Sequence, residues 1–232
     1  PMRQRDVQHH IDQHGTSSHA ISAAMTPLTP QQRAMSLAMQ RAHQQVAQAT
    51  LCDEANISQR QHQGNITVQV IRAIRTACLS QPTLNGIFDA HALAFEAIDA
   101  LNLALAIDTP NGLFTPVIHD VDQYDDPALK ACIDRYKSQA QSHSIAAEDL
   151  RGASFTLSNV GTIAGQFATP MVTPPQVAIL AVGRVKIQPA VHNKQLVTQQ
   201  LLPLSLSFDH RVITGGEAAR FLKCLIDALE AN

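Results

Sequence analysis

From Pro27 onward, apolar residues recur along the chain at two spacings, one typical of amphipathic helices and the other of strands. The first helical pattern begins after Thr29, a suitable N-cap, with Pro30 at the first helical position. Further helical patterns cover residues 67–79, about 127–142 and 217–229. Alternating or short apolar runs predict strands over residues 49–57, 101–108, 113–118, 155–158, 177–182 and 204–208. Helices interspersed with strands and hairpins indicate an α/β domain in which helices cover one side of a mixed sheet.

The first 26 residues differ from the rest in composition, being rich in Gln, His, Ser and Ala and poor in apolar residues. Such a segment cannot bury enough surface to fold alone. We therefore expect a flexible linker over residues 1–26 and one folded domain over residues 27–232. The chain has 232 residues, of which 45% are hydrophobic, and a domain of that size can bury one substantial core.

Charge and cysteine usage exclude several classes of function. The formal net charge of −2 provides no basic surface for nucleic acid, and no apolar run reaches the roughly 20 residues of a membrane helix. The four cysteines lie far apart without a CxxC pair, so neither a zinc site nor a disulfide framework is expected, and a reducing, cytoplasmic setting fits best. Four of the eleven histidines lie in the linker and none belongs to an HExxH motif, so we expect no metal.

The strongest candidate for chemistry is Asp209-His210-Arg211, at the end of an alternating strand pattern. Gly215 and Gly216 permit a tight turn behind it, after which a helical pattern begins. A histidine held where a strand turns into a helix is a candidate general base. Taken alone, however, such a tripeptide is more often structural than catalytic.

The tripeptide lies within FDHRVITGG, which resembles the DHRxxDG signature of the acyltransferase component of 2-oxo acid dehydrogenase complexes. Chloramphenicol acetyltransferase shares that signature in a looser form. Three further segments resemble the same family in the same order, and they read NLALAIDTPNGLFTPVI, FTLSNVG and TPMVTPPQVAILAVGRV. The resemblance covers about residues 27–229. It implies the chloramphenicol-acetyltransferase-like two-layer sandwich, assembled as a homotrimer with active sites between subunits.

The resemblance also implies a site. His210 stands at the position of the family's general base, and Ser158 stands where the family has the hydroxyl that binds the oxyanion. Arg33, Asn159 and Ser207 are the residues expected to contact coenzyme A. The implied reaction transfers an acyl group, by default acetyl, between coenzyme A and dihydrolipoyl-lysine carried on a separate lipoyl domain. The implied partners are the decarboxylase and dihydrolipoamide dehydrogenase components.

The sequence departs from the family pattern at Thr214, where DHRxxDG has an aspartate that we count among the catalytic positions. Threonine offers only a neutral hydroxyl, so a charge-assisted contact worth about 1.5–3 kcal/mol is missing. This leaves two hypotheses open, an active acyltransferase and a scaffold that organises dehydrogenase components without catalysis. An antibiotic acetyltransferase is disfavoured by the FTLSN and TPPQVAIL segments, and a serine hydrolase by the lack of a GxSxG elbow.

Two further expectations concern assembly. The chain ends at Asn232 without the apolar tail that joins trimers of the family into larger particles, so we expect a trimer. Asp53 and Glu54 resemble a catalytic acid pair, but neighbours on a strand point to opposite faces, so we interpret them as structural or interface charges.

Overall fold

The computed structural model of the chain describes residues 26–60, 64–110, 112–192 and 194–231. The predicted linker lies outside these residues, except for Thr26. Four α-helices are present in the described residues: α1 Pro30–Gln45, α2 Ile66–Ser80, α3 Asp126–Gln141 and α4 Gly215–Glu230. The strands are β1 Gln48–Asn56, β2 Gly86–Asp89, β3 Ala94–Ala97, β4 Leu103–Thr109, β5 Gly112–Phe114, β6 Val117–Ile118, β7 Phe155–Asn159, β8 Ala178–Val182, β9 Lys186–His192 and β10 Gln195–Asp209.

One mixed sheet forms the frame of the domain, with strands in the order β1-β10-β8-β7-β4-β5. In addition β6 pairs with β4, and β9 pairs with β10 as a hairpin. Strand β7 runs parallel to both β4 and β8, whereas the other pairings are antiparallel. The mixed sheet predicted from the sequence is thus confirmed.

One face of this sheet is lined by leucines and carries the core. Register places five leucines in one row across five strands, namely Leu51, Leu206, Leu180, Leu157 and Leu105. Helices α2, α3 and α4 pack onto this face, and their apolar residues belong to the same core cluster as the row. Within it, Phe155 and Phe221 stack with ring centroids 5.8 Å apart. Because burial of apolar surface is the main driving force of folding, this face holds the domain together.

The opposite face carries small and polar residues instead. One row across the sheet reads Thr50, Ser207, Ile179, Thr156 and Ala104, and the next reads Cys52, Ser205, Ala181, Ser158 and Ala106. Short side chains leave room above a sheet. This face is therefore the one that can accept ligands, and we call it the open face.

The elements predicted from the sequence are present, with shifted bounds and two omissions. Helix α2 begins at Ile66 because Asn65 caps it, accepting from the N–H groups of Thr67 and Val68. One omitted element is strand β9, and the other is the β2–β3 hairpin, which lies outside the main sheet. It begins at Gly86, where a Cβ atom would overlap Glu96 O and the Phe95 ring, so only glycine fits.

Helix α1 has the predicted N-cap Thr29, which forms a capping box with Gln32, each side chain bonding the other residue's backbone N–H. Its apolar stripe is largely exposed, with Ala42 as its only buried residue and with Met35 and Leu37 48% and 63% exposed. A helix of this kind gains little from packing within its own chain.

Among the described residues, no helix has the length and apolar character needed to cross a membrane.

Candidate active site

His210 lies directly after β10, in the turn that leads to α4. Its backbone N–H donates to Ala47 O at 2.8 Å, so the turn is tied to the segment before β1. The side chain is exposed, and its ring lies 5.6 Å from that of Phe208. The imidazole is therefore held at a defined place and is accessible to a ligand.

The neighbouring pair Asp209 and Arg211 fixes this turn. Asp209 is only 2% exposed, and it accepts from Arg211 Nε at 2.9 Å and from Arg211 Nη2 at 2.5 Å. Arg211 also donates to Gln45 O and lies over the Phe88 ring at 4.8 Å. Hydrogen bonding to Asp209 raises the pKa of the Arg211 guanidinium above its ordinary value. A buried carboxylate requires such a partner, so the pair locks the backbone on both sides of His210.

Thr214 is the N-cap of α4. Its hydroxyl accepts from Glu217 N at 3.3 Å and donates to Glu217 Oε2 at 2.7 Å, while its own N–H donates to the same carboxylate oxygen at 2.9 Å. Glu217 also accepts from Thr83 at 3.1 Å. The threonine hydroxyl is thus engaged in a capping box, which gives it a structural role in the turn behind His210. Among the described residues, the side chain of Thr214 makes no hydrogen bond outside the capping box, so its catalytic role stays a prediction.

We expect Thr214→Ala to lower the free energy of unfolding by about 1 kcal/mol at pH 7, the usual effect of losing a cap. The bond from the Thr214 side chain is the main cause that lowers the pKa of Glu217 below its ordinary value. A depressed carboxyl pKa stabilises the fold above the unfolded-state pKa, near 4.5, and this contribution is lost as the pH falls through the folded-state pKa. Urea unfolding should therefore show that the free energies of unfolding of wild type and variant differ less at pH 3 than at pH 7. An equal difference at both pH values would contradict the capping box.

Ser158 lies on the open face, near the end of β7. Register places it between Ala106 of β4 and Ala181 of β8, so its immediate neighbours in the sheet are small. It lines a cavity of about 680 Å³ together with Ser154 and Thr156. Among the described residues, its hydroxyl has no hydrogen-bond partner. The predicted polar strand face therefore lines a cavity of a size typical of small-molecule sites, with a free hydroxyl in it.

Ser158 and His210 of one chain do not meet. Ser158 is level with Ala181 of β8, whereas the N–H of Asp209 bonds Val177 O, at the other end of that strand. Four or five residues at about 3.3 Å each, plus two strand spacings of about 4.8 Å, separate the two positions. Side chains of serine and histidine cannot bridge that distance. A site that uses both must therefore draw them from different chains.

The three residues expected to contact coenzyme A are not brought together. Ser207 is fully buried in the sheet and bonds Thr50 at 2.7 Å, so no ligand reaches it. Asn159 lies on the face opposite Ser158, beside a small cavity of about 100 Å³. Arg33 is exposed in the first turn of α1 and lines neither large cavity. Adjacent strand residues point to opposite faces, which is why the neighbour of a site residue is often a poor candidate.

A second cavity, of about 570 Å³, adjoins the His210 turn and is lined by Arg41, His91, Asp209 and Arg211. The basic residue of α1 that reaches a cavity is therefore Arg41 rather than Arg33. Gln176 lines both large cavities and was not singled out from the sequence, although it follows the two prolines that mark a bend there. The described residues contain no group of three or more side chains suited to a metal ion.

Asp53 and Glu54 were interpreted from the sequence as structural or interface charges. Asp53 and Glu54 alternate on β1, and Glu54 forms an ion pair with Lys186 of β9 at 2.6 Å. Asp53 accepts from Glu54 N at 2.8 Å. Both interactions are structural, in keeping with the interpretation as structural charges.

The family model for the catalytic domain of 2-oxoacid dehydrogenase acyltransferases matches residues 22–232. The chain belongs to this family. The dihydrolipoyllysine-residue acetyltransferase component of the pyruvate dehydrogenase complex of Azotobacter vinelandii is 44% identical over 129 residues, covering 56% of this chain and 20% of that protein. A Haemophilus influenzae member, a succinyltransferase component of the 2-oxoglutarate dehydrogenase complex, is 32% identical over 160 residues, covering 69% of this chain and 39% of that protein. Across the curated acyltransferases first matched, this chain spans 20–42% of their length.

Solved structures agree with this assignment of the acyltransferase family. A crystal structure of the Azotobacter vinelandii dihydrolipoamide acetyltransferase has a TM-score of 0.83 at 30% identity, with 89% of this chain and 91% of that chain covered. A chloramphenicol acetyltransferase structure has a TM-score of 0.54 at 16% identity, with 80% of this chain and 89% of that chain covered. The second likeness concerns the fold alone. The predicted chloramphenicol-acetyltransferase-like fold is confirmed.

Proposed function

We propose that this domain transfers an acyl group between coenzyme A and dihydrolipoyl-lysine by direct thioester exchange. The observation that carries the proposal is the free Ser158 hydroxyl in a cavity of about 680 Å³, in a chain whose exposed His210 directly follows β10 and is held there by a backbone hydrogen bond. Family membership supports the substrate class. The residue roles given below are part of the proposal.

The chemistry requires a base and an oxyanion donor. A thiol with an ordinary pKa near 8.5 is mostly protonated at neutral pH, and an imidazole is well suited to remove that proton. His210 would take the proton from coenzyme A as its sulfur attacks the carbonyl carbon of the acyl-lipoyl thioester. The new C–S bond forms while the carbonyl π electrons move to oxygen, and Ser158 donates a hydrogen bond to that oxyanion. Collapse re-forms the carbonyl, breaks the C–S bond to lipoyl, and returns the proton from His210 to the lipoyl thiolate.

The separation of the two groups within one chain supports a site shared by two copies. His210 of one chain and Ser158 of the next would face each other, which a closed head-to-tail trimer provides. The exposed apolar stripe of α1 supports self-association, as do Ile187, Val191 and Leu196 of the β9–β10 hairpin, which are 70%, 75% and 78% exposed. We therefore propose a homotrimer.

A solved relative supports the choice of His210 and Ser158 independently of motif reading. The Azotobacter vinelandii structure concerns the role of a serine, a histidine and an asparagine in the catalytic mechanism of that acetyltransferase. In its numbering the serine precedes the histidine by 52 positions and the asparagine follows it by four, and Ser158 and Thr214 stand at the same offsets from His210. Thr214 therefore stands at the offset where that relative has an asparagine and not the aspartate of the DHRxxDG pattern, while the serine and the histidine are retained.

The remaining parts of the function follow the named relatives. Of the eight curated acyltransferases first matched, seven are acetyltransferase components of pyruvate dehydrogenase complexes, which favours acetyl as the acyl group. We propose a lipoyl domain, a decarboxylase and a dihydrolipoamide dehydrogenase as partners, and a cytoplasmic location. The alternative hypothesis of a non-catalytic scaffold rests on the threonine at position 214. The capping box of Thr214 counts against it, because it preserves the turn that holds His210.

The direct test is acyl transfer from acetyl-coenzyme A to dihydrolipoamide, followed by chromatographic separation of the released coenzyme A and the S-acetyl-dihydrolipoamide that forms. We expect turnover with acetyl-coenzyme A and a lower kcat/KM with succinyl- and isobutyryl-coenzyme A. Absence of transfer from all three donors, in a preparation that is folded and trimeric, would favour the scaffold. A higher kcat/KM with succinyl-coenzyme A would leave the reaction class intact and change the acyl group.

A further inference from the structure

The two large cavities of the chain share one wall, made by Pro174, Pro175 and Gln176 with Ile87. The backbone of this wall is held by hydrogen bonds. Phe88 N donates to Pro175 O at 2.8 Å, Gln176 N donates to Thr173 O at 3.1 Å, and an isolated bridge joins Ile87 to Gln176. Gln176 is thus a polar side chain on a fixed backbone between the Ser158 cavity and the cavity beside the His210 turn.

Its side chain is oriented by one short hydrogen bond. Thr156 Oγ1 donates to Gln176 Oε1 at 2.6 Å, and Thr156 is only 7% exposed. The amide oxygen is therefore occupied. In the part of the chain that the structure describes, the amide nitrogen has no partner, so two N–H donors remain for a ligand in the cavity.

The spacing relative to Ser158 decides which ligand group these donors can reach. Thr156 and Ser158 are two residues apart on the same face of β7, about 6.6 Å along the strand. If the reacting thioester lies at Ser158, the first amide carbonyl of the pantetheine arm of coenzyme A lies about 5 Å from the sulfur, through four bonds of ordinary length. On dihydrolipoyl-lysine, eight bonds separate the terminal sulfur from the first amide carbonyl, which therefore lies about 10 Å away at the end of a hydrocarbon chain.

We propose that the Gln176 carboxamide binds the first amide carbonyl of the pantetheine arm, with Thr156 as the residue that orients it. This inference rests on the proposed function, because it takes Ser158 as the place of the reacting thioester. It assigns Gln176 a role in recognising the thiol substrate that carries an amide close to sulfur. A hydrocarbon arm without that amide gains nothing from the same donors.

The test compares Gln176→Glu with wild type, using dihydrolipoamide as the acceptor and three acetyl donors. The donors are acetyl-coenzyme A, S-acetyl-N-acetylcysteamine and S-butyl thioacetate, of which the last lacks the amide. Glutamate keeps the side-chain shape and can accept from Thr156, but its ionised carboxylate has no N–H to donate. We expect KM to rise about tenfold for the first two donors, the effect of losing one hydrogen bond in a partly buried site. The KM of S-butyl thioacetate and that of dihydrolipoamide should change less than about twofold.

Two further variants guard against a merely structural effect. Thr156→Val should raise KM for the same two donors by a smaller factor, because the carboxamide keeps its donors but loses its orientation. Gln141→Glu alters an exposed glutamine at the end of α3 and should leave all KM values unchanged. Urea midpoints of all variants are compared with that of wild type, since a folding defect would lower kcat for every donor alike.

Unchanged KM values for the two amide-bearing donors in Gln176→Glu would overturn the assignment while leaving the proposed function in place. A rise in the KM of dihydrolipoamide instead would also overturn it, because the side chain would then contact the lipoyl arm. If wild type transfers acetyl from none of the donors, the proposed function itself fails. Calorimetric titration with coenzyme A adds a readout that needs no turnover, and we expect about tenfold weaker binding in Gln176→Glu.

Discussion

Replacing His210 with alanine is expected to lower kcat for acetyl transfer by about 10³-fold, within the range ordinarily lost with a general base. The reason is that the attacking thiol then keeps its proton at neutral pH. Ser158→Ala should cost about 10²- to 10³-fold, because the oxyanion loses one oriented donor. Initial rates at saturating acetyl-coenzyme A and dihydrolipoamide measure both losses.

Mixing the two inactive variants tests whether the site is shared between chains. When His210→Ala and Ser158→Ala chains are refolded together in equal amounts, about a quarter of the sites in a head-to-tail trimer should combine an intact histidine with an intact serine. We therefore expect about a quarter of the wild-type activity to return. Each variant refolded alone should stay inactive.

The control for this pair is His43→Ala, which alters an exposed histidine of α1 and should keep near wild-type kcat. Absence of recovered activity in the mixture would contradict the two-chain site. A loss of less than about tenfold in His210→Ala would contradict the assignment of a general base.

The second large effect concerns stability. Arg211→Met leaves the carboxylate of Asp209, which is 2% exposed, without its partner. We expect the free energy of unfolding to fall by about 3–5 kcal/mol, as when one member of a buried ion pair is removed. Urea unfolding at pH 7 measures it.

Three companion variants define the cause of that loss. Arg211→Lys keeps the charge but loses the forked geometry, so an intermediate loss is expected. The double variant Asp209→Asn with Arg211→Met leaves no buried charge and should recover part of the stability. Arg220→Met removes an exposed arginine that bonds Gln81 at 3.4 Å, and should change stability by less than about 0.5 kcal/mol. A loss below 1 kcal/mol in Arg211→Met would show that the buried carboxylate does not depend on this partner.

Local patterns in the sequence were sufficient for most of the regular structure. Helix α1 begins where Thr29 and Pro30 indicate, and the alternation of Leu204, Leu206 and Phe208 places these residues on the core face as predicted. The β2–β3 hairpin was not predicted because its strands have four residues each and carry little alternation. Its position depends on contacts with the Pro175 segment, far away in the sequence.

Among the candidate site residues, too, those placed by local alternation were predicted correctly, whereas those that depend on distant contacts were not. Alternation within one strand correctly placed Ser154, Thr156 and Ser158 on a common face, because side chains of a strand alternate by necessity. The prediction that Asn159 and Ser207 contact coenzyme A gains no support, since Asn159 points to the other face and Ser207 is fully buried. Gln176 was overlooked because its partner Thr156 lies 20 residues away, and neither residue alone suggests a contact.

The sequence by itself determined the class of fold and the family, because periodicity and motif spacing are local properties that can be read without coordinates. It also led to the proposal that His210 and Ser158 act in acyl transfer. The tertiary structure decided which polar residues face a shared space. Register across β7, β8 and β10 separates Ser158 from His210, and a hydrogen bond joins Thr156 to Gln176. Both depend on long-range contacts that no local pattern contains.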